Sequence, residues 1–541
     1  MRRSLDISKL IIATTEVVVV LSLFFIKEIS YNYTLLLILF FYFVTFLAFL
    51  LIPKRVGIIL VLITAGSCLF ETLSGLLQLL GLIRSNHPFY VITGSFNNPG
   101  PYGGFLATCL SILAAYIISN KKTHEHSFTY KLFFWIICGL SIAAFILLPS
   151  TRSRSAILAF GFSMILFVFR IKRDWIRLLL KRYCLWIFLG FCFVGGGLYF
   201  LKKPSADGRF FIDKICIHAM WSNGWKGAGL GHFGGSYGRA QAQYFKTQVY
   251  RNGGEEMDWS VMNEHDRLTA DCPNYAFNEF LMLGVETGPV VMLLFMGVIV
   301  AAITTSFKRG TIWFSGLTSL SLFAFFSYPF HISQFQIMFP ILLSACIMDG
   351  IQYVKNNQTV MKAVVLFSIL TLIVVLKLPE YRSLKQAELS WKETEKWYNK
   401  EYYDYVVEDC NKLWPYFKNN AHYLFAYGHS LYKTGQLEKS DSILKIGTEI
   451  SNDPIFWKQM GDNSIALGNY REAEERYINA FLMVPNRLYP LCLIAKLYYT
   501  VGDTARFLDM SQKIEEFIPK VESERTQRLR AEIEELTFEL R

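Results

Sequence analysis

Paired cysteines are the plainest absence in this 541-residue sequence: of its ten cysteines, most lie inside apolar segments and none stands in a Cys-x-x-Cys spacing. That excludes a zinc ribbon and a disulfide-stapled scaffold. Cys216 and Cys272 lie in a hydrophilic stretch, where they either pair in an oxidising compartment or stay as two free thiols. Charge is scarce as well, at 18% of residues against 53% hydrophobic and 16% aromatic. An ordinary soluble domain is roughly 45–50% apolar even when glycine is counted, so this composition excludes that class and leaves a membrane protein. Within the apolar segments the main charged exception is Glu71, in the third. Transporters place polar groups near the bilayer midplane, so the shortage counts against transport, and Glu71 with Gln78 reads equally as a buried interhelical contact. No small-residue cleavage site follows the first apolar segment, which therefore reads as a retained signal anchor.

Segments of about 17–25 apolar residues are needed to cross ~30 Å of hydrocarbon, and about eleven are present. They centre on 10–26, 33–52, 56–83, 101–119, 131–149, 155–170, 183–201, 289–306, 311–328, 336–350 and 359–377. The net charge of +11 does not point to nucleic acid, because the basic residues sit in the short loops between these segments. With a cytoplasmic amino terminus (Arg2, Arg3, Lys9), the inside loops carry Lys54-Arg55, Lys121-Lys122, the Arg170–Arg182 run, Lys308-Arg309 and Lys355. That gives about seventeen basic residues inside against about four in the short outer loops, as the positive-inside rule requires. Thr93–Pro101, Ser150–Ser155, Tyr328–Gln334, the hydrophilic stretch 202–288 and the carboxy-terminal region then all face outward.

Beyond Leu378 charged and aromatic residues alternate, and a soluble domain begins near 385. Trp457, Met460-Gly461, Gly468-Asn469-Tyr470, Ala473, Tyr477, Ala480 and Pro485 follow the 34-residue spacing of a tetratricopeptide repeat. Tyr427-Gly428 and Gly435 stand one unit upstream, and Ala495, Tyr498 and Gly502 one unit downstream. With a degenerate earlier pair at 385–415, three to four stacked helix pairs are expected, offering a concave surface to a protein partner. The expected fold is all-α: a polytopic membrane helix bundle over 1–381 with 202–288 as its large outer loop, then a repeat solenoid over 385–541.

Four outward motifs carry candidate chemistry. Thr93-Gly94-Ser95-Phe96-Asn97-Asn98-Pro99-Gly100-Pro101 heads a helix, where backbone N–H groups favour an anion; the plainer reading is an Asx and proline turn. Ser150-Thr151-Arg152-Ser153-Arg154-Ser155 sets two arginines on the side where basic residues are few, suited to gripping phosphate or to snorkelling at the interface. The long loop holds Gly208-Arg209, an amphipathic helix expected over Phe210–Trp221, the run Gly227–Gly235 and the titratable group Glu264-His265-Asp266-Arg267. The glycines would let backbone approach a bulky ligand, and the titratable group reads alternatively as a solvated turn. Asn274–Leu281 continues to Glu286 and Gly288. Glu279 and Glu286, seven apart, share a helix face close to the apolar boundary, where a carboxylate can serve as a base or pair with an outer arginine.

In this order, Gly94–Pro99, Ser153-Arg154-Ser155-Ala156, Gly208-Arg209, Gly227–Phe233 and Asn278-Glu279-Phe280-Leu281 with Glu286 and Gly288 resemble the O-antigen ligase family over roughly residues 90–350. That family includes O-antigen polymerases and bacterial O-linked oligosaccharyltransferases. The resemblance implies transfer of a glycan from an undecaprenyl-pyrophosphate carrier, at the outer face of a bacterial inner membrane, to a hydroxyl of lipid A core, a growing glycan or a protein. Neither a metal nor another cofactor is implied. Arg154 and Arg209 correspond to arginines that engage the pyrophosphate, and Asn278-Glu279 to an Asn-Glu pair near the acceptor. Arg152, Asn97 and Asn98 stand beside them as candidate donor-binding residues. The family's His-x-His-Asn-Glu arrangement is broken, since Tyr275 and Phe277 hold the histidine positions. Phenylalanine takes no proton, so the candidates for the acceptor's base are Glu279, His265 and Tyr275. Polymerisation of the glycan is one alternative reading; an inactive membrane scaffold whose repeats recruit partners is another.

Overall fold

The computed structural model describes residues 29–120, 128–174, 203–250, 261–349 and 379–540, with a few isolated positions between them. The segments expected at 10–26, 183–201 and 359–377 lie outside these residues, as do Arg2, Arg3, Lys9, Lys121-Lys122, residues 175–181 and Lys355. Among the described residues the regular structure is helical, with no strand. They divide into two compact units, one within Met1–Leu201, Phe277–Phe280 and Met292–Lys377, the other within Lys202–Ala276, Leu281–Val291 and Leu378–Arg541.

In the first unit the apolar segments form the helices Ile29–Leu51, Pro53–Leu79, Pro99–Ser119, Phe128–Leu147, Arg154–Ile171, Pro289–Arg309, Trp313–Ala324 and Ser333–Met348. Five stretches, Arg55–Leu79, Pro99–Ser119, Phe128–Thr151, Arg154–Ile171 and Pro289–Arg309, are long and apolar enough to cross a membrane. The chain is a multi-pass membrane protein. Two expected segments are shorter as helices: Trp313–Ala324 has 12 residues and Ser333–Met348 has 16. At 1.5 Å per residue the former reaches only ~18 Å, less than the ~30 Å core.

Pro99–Ser119 is the centre of this unit, buried along most of its length. It packs against Pro53–Leu79, Phe128–Leu147, Arg154–Ile171 and Trp313–Ala324. Small residues make the close approach possible. A Cβ on Gly104 would stand 2.4 Å from the Phe323 ring, and one on Gly103 would stand 2.7 Å from Thr151 Oγ1. Where lipid tails offer no hydrophobic drive between helices, such packing and interhelical hydrogen bonds do the holding. Ser111 Oγ and Ser163 Oγ lie 2.7 Å apart, and Ser315 Oγ donates to Ser111 O at 3.1 Å. Large apolar side chains such as Phe70, Trp135, Ile146 and Leu293 stay exposed on the outside, a surface that suits hydrocarbon and not water.

In the second unit Lys203–Asn223 and Phe233–Val249 pack together, with Phe211 and Phe245 rings 6.0 Å apart. The expected Phe210–Trp221 helix lies within the first of these and buries Phe211, Ile212, Ile215, Cys216, Ala219 and Met220. Cys216 and Cys272 are free thiols, so of the two states open from sequence the unpaired one is observed. After a helix over 379–399 come Tyr403–Phe417, Ala421–Lys433, Leu437–Ile450, Ile455–Ala466, Tyr470–Met483, Tyr489–Val501, Thr504–Glu516 and Glu524–Glu539. Gly435, Gly468 and Gly502 each follow the first helix of a pair with φ 78°, the left-handed conformation that glycine adopts without penalty. Gly428 and Gly461 sit where a Cβ would strike the Leu444 side chain and the Tyr477 ring, so each pair closes on a missing side chain.

Candidate active site

Two polar side chains of Pro53–Leu79 build the first motif. Glu71 accepts from Ser95 N at 3.0 Å and Ser95 Oγ at 2.5 Å. Gln78, seven residues on and so on the same helix face, accepts from Thr93 N and Gly94 N at 2.8 Å each and donates to Gly94 O at 2.9 Å. The charge that stood out in the third apolar segment thus holds a loop in place. Gly94, at φ 56°, has no room for a Cβ between Tyr102 and Glu71. Asn98 caps the central helix by accepting from Gly100 N at 2.8 Å, while Asn97 is exposed.

The arginine motif rests on the same helix end. Ser153 caps Arg154–Ile171 by accepting from Ala156 N at 3.4 Å and reaches Gly100 O at 3.5 Å. Arg152, at φ 52°, takes a left-handed conformation rare outside glycine and is exposed; Arg154 is half-buried. The turn is pinned through Thr151, whose Oγ1 donates to Leu148 O at 2.7 Å and accepts from Ser153 N at 3.2 Å.

The Asn-Glu pair meets a different loop, the one that carries Phe330 and His331. Phe277 has φ 54°, and its ring lies 5.5 Å from that of Tyr328. Asn278 is buried and accepts from Phe280 N at 3.2 Å, at the start of the helix Glu279–Thr287. Glu279, also buried, accepts from Phe330 N at 2.6 Å, and both its oxygens stand 3.4 Å from His331 Nδ1. The neighbouring Phe335 ring lies 6.1 Å from Phe96 of the first motif. The structure therefore gathers Asn98, Arg152, Arg154, Asn278 and Glu279 along one end of the first unit, by contacts running through Gly100, Phe96, Phe335 and Phe330. His331 joins them. A single histidine in a short loop carries no sequence signal of its own.

The remaining candidates belong to the second unit. Arg209 is half-buried one turn before Asp213, whose carboxyl is pushed up to about 6 by burial, with the Arg209 charge acting against the rise. His265 is mostly exposed, its Nε2 4.0 Å from Asp207 Oδ2. Its neighbours serve other contacts: Asp266 accepts from Lys214 Nζ at 2.9 Å and Tyr244 OH at 2.5 Å, and Arg267 donates to Ile518 O at 2.9 Å.

The glycine run is spent on its own chain. Ala228 N and Gly229 N donate to Val285 O and Glu286 O at 2.9 and 2.8 Å, satisfying carbonyls at the end of Glu279–Thr287. Glu286 Oε1 accepts from Gly231 N at 3.1 Å. A Cβ on Gly227 would stand 2.4 Å from the Glu286 backbone, so the close approach expected of this run is made to a helix end. Gly234, Gly235 and Gly238 form a bare face of Phe233–Val249 against the carboxy-terminal helices: Cβ atoms there would meet Ile450 O at 2.6 Å, Glu449 O at 2.0 Å and Met483 Cε at 2.6 Å. Around this face Arg239 donates to Thr448 O at 3.2 Å, Asn452 Nδ2 to Pro273 O at 2.7 Å and Asn486 Nδ2 to Ala270 O at 2.7 Å.

Residues 139–296 match the family model described as O-antigen ligase. The matched stretch includes Arg152, Arg154, Arg209, His265, Asn278 and Glu279, and ends before His331. A TPR repeat-containing protein of Methanocaldococcus jannaschii is 29% identical over 119 residues, 22% of this chain. The chain covers 21% of that relative's length.

Proposed function

We propose, from the match of residues 139–296 to the O-antigen ligase family model, that this membrane protein transfers a glycan from an undecaprenyl-pyrophosphate carrier to an acceptor hydroxyl of lipid A core, protein or sugar. The observation that carries the reading is the family match across the arginine and Asn-Glu motifs. Support comes from the way one end of the first unit holds Arg152, Arg154, Asn278 and Glu279 on capped, hydrogen-bonded turns. Departure of the carrier's pyrophosphate needs fixed positive charge, and arginine gives it in a planar fork that matches phosphate. Arg154 and Arg209 fill that role, with Arg152, Asn97 and Asn98 contributing donors around the glycan-pyrophosphate. Asn278 and Glu279 serve the acceptor side. The protein resides in a bacterial inner membrane with its amino terminus cytoplasmic and the long loop and carboxy-terminal helices periplasmic. Those helices form a tetratricopeptide-repeat solenoid that orients the acceptor or a protein partner.

A polymerase differs from a ligase only in its acceptor. The scaffold reading draws on one specific observation, Phe277 at the position of a family histidine. Deleting the gene and restoring it with wild type or Arg209→Ala separates these. We expect carrier-linked glycan to accumulate on deletion, wild type to clear it, and Arg209→Ala to lose at least 100-fold in transfer while inserting normally. Unchanged glycan on deletion favours the scaffold, and full activity in the variant removes Arg209 from the mechanism.

A further inference from the structure

We propose that His331 is the base that takes the acceptor's proton, with Glu279 as its positioning residue; this rests on the glycosyl-transfer reading. Both groups belong to the first unit, and their exposures divide the labour. The Glu279 side chain is 4% exposed and that of His331 27%. A bulky hydroxyl-bearing acceptor can reach the imidazole and not the carboxylate. Glu279 lies 3.4 Å from Nδ1, a separation that tightens readily when substrate is bound. A carboxylate at Nδ1 selects the tautomer with its proton there, leaving Nε2 as the basic nitrogen, and stabilises the imidazolium once it forms.

The surroundings make this arrangement rigid. His331 closes the 3₁₀ turn Pro329–His331, whose Phe330 N–H is committed to Glu279 and whose Phe330 O accepts from Gln336 Nε2 at 2.9 Å. The Phe330 ring packs 4.8 Å from Phe339 and 6.0 Å from Phe295. On the opposite strand of chain, Phe277 is held in a left-handed conformation that costs on the order of 1–3 kcal/mol and persists only where the fold over-determines it. Of the candidates from sequence, Glu279 is more shielded than His331.

In the step itself the acceptor O–H proton passes to His331 Nε2 as the acceptor oxygen bonds to the anomeric carbon of the donor sugar. The bond from that carbon to the pyrophosphate oxygen breaks, and undecaprenyl pyrophosphate leaves with the electron pair. The imidazolium then returns its proton to water.

The test uses membranes of the deletion strain, loaded with accumulated carrier-linked glycan, carrying the full chain as wild type, His331→Ala or His331→Gln at equal membrane levels. Glutamine keeps a hydrogen-bond donor for Glu279 but cannot take a proton at neutral pH. We expect both variants to fall by at least about 10²-fold in transfer, and added imidazole to raise His331→Ala but not His331→Gln, whose side chain fills the space. A His331→Gln protein within 100-fold of wild type, or an alanine variant that imidazole does not raise, overturns the assignment. Failure of wild type to transfer glycan rejects the functional reading instead.

Discussion

Single residues in this protein owe their behaviour to where the chain buries charge. Glu71 is the clearest case, a carboxylate in an apolar helix whose two contacts with Ser95, with those of Gln78 to Thr93 and Gly94, replace the water it gave up. Asp213 is the contrary case. Burial raises its carboxyl to about 6, so folding favours the protonated form, and stability present in acid is lost as pH rises through about 6. Asp213→Asn should therefore melt above wild type at pH 7.5 and near it at pH 4; a gap that widens toward acid would reverse the sign. Arg209, one turn earlier, opposes the rise, so the melting gap should grow in an Arg209→Ala background. Arg152 and Arg154 were legible one by one as candidates because few basic residues fall in the short loops expected on the outer side. His331 was not, because its role depends on the buried carboxylate that the fold sets beside it, and proximity between residues 279 and 331 has no local signature.

At the scale of elements, glycine divides the work. In the first unit Gly103 and Gly104 let the central helix approach Thr151 and Phe323. In the second, Gly234, Gly235 and Gly238 let the loop helix Phe233–Val249 lie directly on the backbone after Leu437–Ile450. Gly235→Leu should separate that helix from the carboxy-terminal helices, because no rotamer relieves a Cβ 2.0 Å from Glu449 O. We expect roughly 1–3 kcal/mol or more of lost stability, read as faster protease cleavage within 233–249 while Gly229→Ala, which meets only the His232 ring, also strains φ 104° but leaves the helix docked. Sequence spacing located the turn glycines Gly435, Gly468 and Gly502 between helices, since φ is a local property. It misassigned the glycine run, which reads as ligand-facing by composition; a bare backbone looks the same whether a ligand or another helix fills the space beside it.

For the whole molecule, the consequential feature is that the long hydrophilic stretch and the carboxy-terminal helices belong to one compact unit. Arg267, Asp271, Pro273 and Ala270 are tied to Ile518, Lys520, Asn452 and Asn486 by hydrogen bonds between residues more than 170 positions apart. Removing residues 385–541 should therefore expose Tyr237, Gln241 and Phe245 of the loop helix and make 203–250 protease-sensitive; a loop equally resistant without those residues would show that it folds alone. The sequence by itself determined the class of this protein, an all-helical multi-pass membrane protein, because long apolar segments are a one-dimensional pattern written by solvent and helix geometry. Only the tertiary structure decided what the glycines approach, that Glu71 and Gln78 secure a loop, and that His331 stands against Glu279. Those outcomes depend on which surfaces meet, and a meeting between distant segments is set by packing the whole chain, not by any stretch of it.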